Sequence, residues 1–247
     1  MNAQGRRAVV TGAARGIGLA VAQRLLEEGA DVLAVDLDAG GLAAIEADGA
    51  RALAADLSTE EGVAAVVAEG AGADYLVNSH GIIRLRSIFE AGRQDWHDIF
   101  AVNAESIFFL CQQLGPRLRE GGAIVNLSSS SAKLATTTET AMYAASKTAI
   151  LSITRSFAYA LAPQGIRVNA ICPGIIDTPM QDAVLEEVAR LRGVTAQELA
   201  DARETSVPLR RGASPQECAA AIWFLLSDDS SYMTGEAMNL SGGLAMW

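Results

Sequence analysis

The sequence predicts an α/β protein: a single doubly wound parallel sheet of about seven strands with helices on both faces. Three observations carry this. Short β-type apolar runs alternate with longer helical patterns along the whole chain, the first run leads straight into a glycine-rich turn, and no linker, repeat or low-complexity tract interrupts the rhythm. Strands are expected at residues 8–10, 31–35, 51–54, 75–78, 123–127, 167–171 and 237–240. Between them, residues 18–28 repeat apolar side chains at helical spacing and stop at Gly29, where a C-cap belongs. A short helix is expected at 42–48. The next, at 59–69, is opened by Ser58 as N-cap with Glu61 three residues on. Long helices follow at about 96–118 and 144–162, and an amphipathic one at 215–226. Residues 180–203 break the alternation with charge-rich helical pieces.

Composition narrows the function. The chain has 247 residues, half of them hydrophobic and 19% charged, which is enough apolar material for one domain spanning 1–247 with a large core. Its net charge of −10 and pI near 4.7 argue against nucleic acid or an anionic membrane surface as partner. No apolar run reaches the ~18 residues of a membrane span, and residues 1–7 lead into a strand-like run, so a cytoplasmic location is expected. Cys111, Cys172 and Cys218 are odd in number and widely spaced. Neither a disulfide framework nor a metal site is indicated, and buried thiols are expected.

Two motifs carry chemistry. Thr11-Gly12-Ala13-Ala14-Arg15-Gly16-Ile17-Gly18 joins the first strand to a helix, and close approach of its backbone to a pyrophosphate requires glycine where side chains would obstruct. A tight turn without a ligand is its bland alternative. Asp36, eighteen residues beyond Gly18 at the end of the second strand, suits a ribose diol and repels a 2′-phosphate. Arg15 pulls the other way, since a cation there suits a 2′-phosphate. With Leu37 supplying no second cation, NAD is favoured over NADP. Asp56, after the third strand, is either a contact for the adenine amino group or a loop acid ahead of the cap.

The second motif is Tyr143-Ala144-Ala145-Ser146-Lys147, whose spacing of four puts phenol and amine on one helical face. A free phenol is a poor base at neutral pH, and a neighbouring ammonium favours phenolate. The run Ser128-Ser129-Ser130-Ser131 places hydroxyls at the carboxyl end of a strand, where open α/β sheets bind ligands.

Together these residues resemble the short-chain dehydrogenase/reductase family over essentially the whole chain, a Rossmann-type fold. The resemblance implies that Tyr143 is the acid/base, that Lys147 lowers its pKa and holds the nicotinamide ribose, that a serine orients the reacting oxygen and that Asn103 completes the set by holding a water. It implies cofactor contacts at Gly12, Arg15, Gly16, Ile17, Gly18, Asp36, Asp56, Leu57, Asn78, Gly81, Tyr143, Lys147, Pro173 and Gly174, with the Ile176 backbone and Thr178 clasping the carboxamide. It also implies a helical substrate lid at about 180–207 and a homotetramer packed through the helices that begin near Trp96 and Ala144. Two departures stand out. The family's N-N-A-G reads Asn78-Ser79-His80-Gly81, so His80 is either a structural imidazole, the favoured reading, or a pocket residue. The active serine is Ser129 counted from the strand and Ser130 counted back 13 residues from Tyr143; the strand register favours Ser129.

The expected reaction is hydride exchange between a nicotinamide cofactor and a secondary alcohol or ketone. The polar loop with Lys133, Thr136, Thr137 and Thr138 and the polar lid point to a small hydroxylated or anionic substrate such as a sugar or polyol. A 3-oxoacyl-thioester reductase is the alternative within the family. Outside it stands a non-catalytic NAD sensor, which has no need of Tyr143, Lys147 and Ser129 together.

Overall fold

A computed structural model describes residues 2–135 and 137–247. In chain order the regular elements are β1 (Arg7–Thr11), α1 (Gly16–Glu27), β2 (Asp31–Asp36), α2 (Ala43–Ala47), β3 (Arg51–Ala54), α3 (Glu60–Gly70), β4 (Tyr75–Asn78) and α4 (Arg93–Phe100). After these come α5 (Ser106–Gln113), β5 (Ala123–Leu127), α6 (Ala141–Leu161), β6 (Arg167–Pro173), α7 (Pro179–Arg192), α8 (Ala196–Ser206), α9 (Pro215–Leu226) and β7 (Ala237–Leu240). The seven strands form one parallel sheet in the order β3-β2-β1-β4-β5-β6-β7. The order reverses between β1 and β4, which places the ligand crevice of such a sheet at their carboxyl ends.

Strands buried on both faces explain their continuous apolar runs. Ala8 and Val10 of β1 face a core completed by α1 and α9, with Leu25, Ile222 and Trp223, while Val9 faces a second core with Val66, Ile107, Leu110 and Ile150 from α3, α5 and α6. All three cysteines are buried free thiols. Among the described residues, no helix is long and apolar enough to cross a membrane.

Four expectations need correction. The helix read as 96–118 is three pieces: α4, a π-helical turn at Ala101–Glu105 that continues into α5, and a short 3₁₀ turn at Gly115–Arg117, where Pro116 cannot continue the hydrogen-bond ladder. The cap of α3 is Thr59, whose hydroxyl accepts from Gly62 N at 3.1 Å; the Ser58 hydroxyl is taken by Asp56 at 2.6 Å. β6 runs two residues further than 167–171, because Cys172 and Pro173 still pair with β7. Lys133, counted with the polar substrate loop, is engaged within the protein: its ammonium donates to Ala237 O at 3.1 Å and to Trp247 O at 3.0 Å.

The segment expected to form a helical lid is α7 and α8. Val184 and Val188 of α7 bury against Leu85, with Ile83 and Leu199 alongside, so this pair of helices rests on the loop that follows β4. At the far end of α7, Arg192 reaches Glu139 and Thr137, just ahead of α6. Thr137 is thereby engaged within the protein, and Thr136 lies outside the described residues.

Candidate active site

The turn after β1 is shaped by steric exclusion. Gly12 and Gly16 have positive φ, and a Cβ on Gly12 would meet the backbone of His80 at 2.8 Å, while one on Gly18 would overlap the Gly12 carbonyl. The first turn of α1 carries no side-chain cap, which leaves its amides open to an anion. Asp36 closes the turn from β2: one carboxylate oxygen accepts from Ala14 N and the other from Asp38 N, both at 3.0 Å. A dinucleotide pyrophosphate therefore fits the cradle. Arg15 is exposed at the start of α1. Asp56 is exposed and bonds the Ser58 amide and hydroxyl, and Leu57 buries its side chain in the core. The side chain of Asn78 points into the interior, donating to Asn126 Oδ1 at 2.8 Å.

Opposite this turn, β6 ends in Pro173-Gly174. Gly174 packs so closely on Ser241 that a Cβ would lie 2.9 Å from the Ser241 Cα. Ile176 is buried and pairs with Ala213, and Thr178 caps α7 through its hydroxyl while its methyl lies near Gly16. The two sides of the crevice thus approach one another at Gly16 and Thr178.

Between them α6 presents Tyr143 and Lys147 on one face, with Nζ 5.7 Å from the centre of the phenol ring. Lys147 is 4% exposed and donates to Leu127 O at 2.8 Å. Burial pushes it down to about 8. Tyr143 is half-buried. Burial raises its phenol, and a hydrogen bond with Ser129 works against that shift. The lowering of the phenol expected from Lys147 is not among the influences on Tyr143 here: burial leads, and the ammonium stands 5.7 Å from the ring centre. Of the two candidate serines, Ser129 is the one that influences the phenol, and its hydroxyl accepts from Ser131 N at 3.1 Å.

Asn103 is fully buried on the π-helical turn. Its amide clamps the backbone of Ile82, accepting from Ile82 N at 2.8 Å and donating to Ile82 O at 2.9 Å, and it also donates to Ser146 Oγ at 3.1 Å. Gly81 lies between Asn103 and Lys147: a Cβ there would stand 3.3 Å from both Oδ1 and Nζ. His80 is buried with both ring nitrogens bonded, Nδ1 to Thr11 Oγ1 at 2.6 Å and Nε2 to Ser106 Oγ at 2.7 Å. Burial holds its pKa down to about 3, so the ring is neutral. Leu127 O, Ile82 and Ser146 escaped the sequence reading, because backbone carbonyls and small hydroxyls leave no motif.

A family model described as "Enoyl-(Acyl carrier protein) reductase" matches residues 12–245. The 3-oxoacyl-[acyl-carrier-protein] reductase FabG of Vibrio cholerae is 34% identical over 255 residues, covering all of both chains. The chain belongs to the short-chain dehydrogenase/reductase family. Other members nearby are the D-threitol dehydrogenase of Mycolicibacterium smegmatis, 37% identical over 97% of this chain and 92% of the relative, and a galactitol 2-dehydrogenase of Cereibacter sphaeroides, 36% identical over 98% and 96%. Among solved structures, levodione reductase superposes with a TM-score of 0.90 at 29% identity, covering 97% of each chain. As a short-chain dehydrogenase/reductase the protein is a nicotinamide-dependent oxidoreductase acting on alcohol and carbonyl groups.

Proposed function

We propose that the enzyme interconverts a secondary alcohol of a small polyol or sugar with the corresponding ketone, using NAD in preference to NADP. The single observation that supports the chemistry best is the convergence of Tyr143, Ser129, Lys147 and Asn103 beside the glycine cradle. A bound nicotinamide dinucleotide supplies the hydride acceptor or donor. The protein supplies the rest. Tyr143 Oη moves the hydroxyl proton, Ser129 holds the reacting oxygen, Lys147 binds the ribose and favours phenolate once that ribose is in place, and Asn103 holds a water for the relay. Gly12, Arg15, Gly16, Ile17 and Gly18 cradle the pyrophosphate, with Asp56, Gly81, Pro173, Gly174, Ile176, Thr178 and the backbone of Leu57 and Asn78, whose side chains turn inward, lining the remainder of the cofactor's path.

Asp36 supports the NAD preference. Its carboxylate stands at the end of β2 against the turn, where it accepts from a ribose diol and repels a 2′-phosphate. The polyol reading draws on the threitol and galactitol dehydrogenases, since Lys133 and Thr137 are engaged within the protein. The 3-oxoacyl reductases at similar identity favour the second reading, thioester-linked 3-oxoacyl reduction.

A panel of polyols, sugars, hydroxy acids and 3-oxoacyl thioesters, run with NAD and NADP in parallel and followed by the absorbance of reduced nicotinamide, tests this. Turnover of a polyol with NAD at higher kcat/KM than with NADP is expected, and Asp36→Ala should narrow the gap by roughly tenfold or more. Exclusive turnover of 3-oxoacyl thioesters with NADPH would replace this reading with the second. We also propose a homotetramer assembled through α4, α5 and α6, on which Trp96, Phe108, Phe109 and Tyr159 stand partly or fully exposed.

A further inference from the structure

The residue that departs from the family's small side chain, His80, stands between two parts of the active site. On one side it meets Thr11, the first residue of the phosphate-binding turn. The Thr11 hydroxyl is 2.6 Å from His80 Nδ1 and 3.2 Å from Val77 O, and it accepts from Ser79 N at 3.1 Å. On the other side it meets Ser106, at the junction of the π-helical turn and α5. The Ser106 amide reaches back five residues to Ala101 O, as a π-turn requires, and the Ser106 hydroxyl donates to Val102 O at 2.6 Å.

Each hydroxyl has one proton, so the chain of bonds has a direction. Ser106 gives its proton to Val102, which leaves its oxygen to accept from His80 Nε2–H. The neutral ring is then an acceptor at Nδ1, and the Thr11 hydroxyl donates to it at the shorter of its two distances. Every donor is used once in this Nε2–H tautomer. The next residue, Gly81, lies where any Cβ would come within 3.3 Å of both Asn103 Oδ1 and Lys147 Nζ, and Ile82 after it is clamped by both ends of the Asn103 amide.

We propose that His80 is a positioning residue that ties the coenzyme turn to the π-helical turn carrying Asn103, so that the Asn103 amide and the glycine cradle keep one fixed geometry. This rests on the reading of Asn103 as part of the catalytic set. An alanine at position 80 leaves the Thr11 and Ser106 hydroxyls without their shared partner, whereas a glutamine, with a carbonyl acceptor and an NH2 donor group side by side, can bridge the same gap.

The test measures NADH affinity by fluorescence and kcat by steady-state kinetics on the full-length protein, with Tm recorded separately. His80→Ala should lose about tenfold in kcat and weaken NADH binding, the size of a lost buried hydrogen bond, and His80→Gln should recover most of both. If His80→Ala and His80→Gln lower Tm alike while kcat and NADH affinity per folded molecule stay at the wild-type values, the inference is overturned. Nitrogen-15 NMR of the unmodified enzyme needs no variant to fold: it should find the Nε2–H tautomer and no protonation in the ordinary histidine range, and an Nδ1–H tautomer would also overturn the inference. Tyr143→Phe is assayed alongside. Its failure to stop turnover would remove the proposed chemistry, whereas an unaffected His80→Ala beside a dead Tyr143→Phe removes only the role of His80.

Discussion

An ammonium buried beside a phenol, with a single carbonyl as its partner, is an unfavourable place for a lysine. Lys147 is charged in the unfolded chain up to about pH 10, and burial brings it down to about 8 in the folded protein. The direction follows from linkage: a depressed folded pKa means the charged form is disfavoured by folding, so the penalty is fully present below about pH 8 and fades as pH rises toward the unfolded value. Lys147→Met should therefore raise stability at neutral pH by about 1–3 kcal/mol while turnover is lost, measured by urea unfolding and steady-state assay. A less stable or still active variant would contradict this. Tyr143, Lys147, Gly12 and Gly18 were legible in the sequence because their chemistry demands fixed residue types at fixed spacing. The engagement of Lys133 with Ala237 and Trp247, by contrast, depends on residues more than a hundred positions away, and composition cannot foresee it.

At the scale of elements, alternating strands and helices located all seven strands, since short, mostly apolar runs bounded by turns and set between helical patterns mark doubly buried parallel strands. Helix ends and irregular turns were less readable. Ser58 and Thr59 are both good caps by residue type, and only the folded Asp56 loop decides between them by taking the Ser58 hydroxyl. Thr59→Ala should cost about 1 kcal/mol by removing a cap, and Ser58→Ala should cost clearly less; equal losses in chemical denaturation would show the assignment of the cap to be wrong. The π-helical turn at Ala101–Glu105 had no signature in Phe100-Ala101-Val102-Asn103, because its cause is tertiary: the Asn103 amide is held by Ile82 and the Ser106 hydroxyl by Val102 and His80. That turn is what brings a helix residue into the proposed catalytic set.

For the whole molecule, the parallel sheet brings the glycine turn after β1, the serines after β5 and the Pro-Gly element at the end of β6 to one edge, so residues from three stretches of sequence meet in one crevice. The aromatic side chains left partly uncovered on α4, α5 and α6, including the Trp96–Phe100 stack at 4.2 Å, fit association of copies. Light scattering should give a mass of four 25.8 kDa chains, and Phe108→Glu should shift it downward; a monomer would contradict the assembly.

The account depends most on the phenol of Tyr143 as the group that moves the proton. Tyr143→Phe, which removes one oxygen from an otherwise unchanged site, is the direct measurement. Turnover should fall by at least about a hundredfold, with NADH still bound at near wild-type affinity. A variant that keeps its turnover would contradict the central claim.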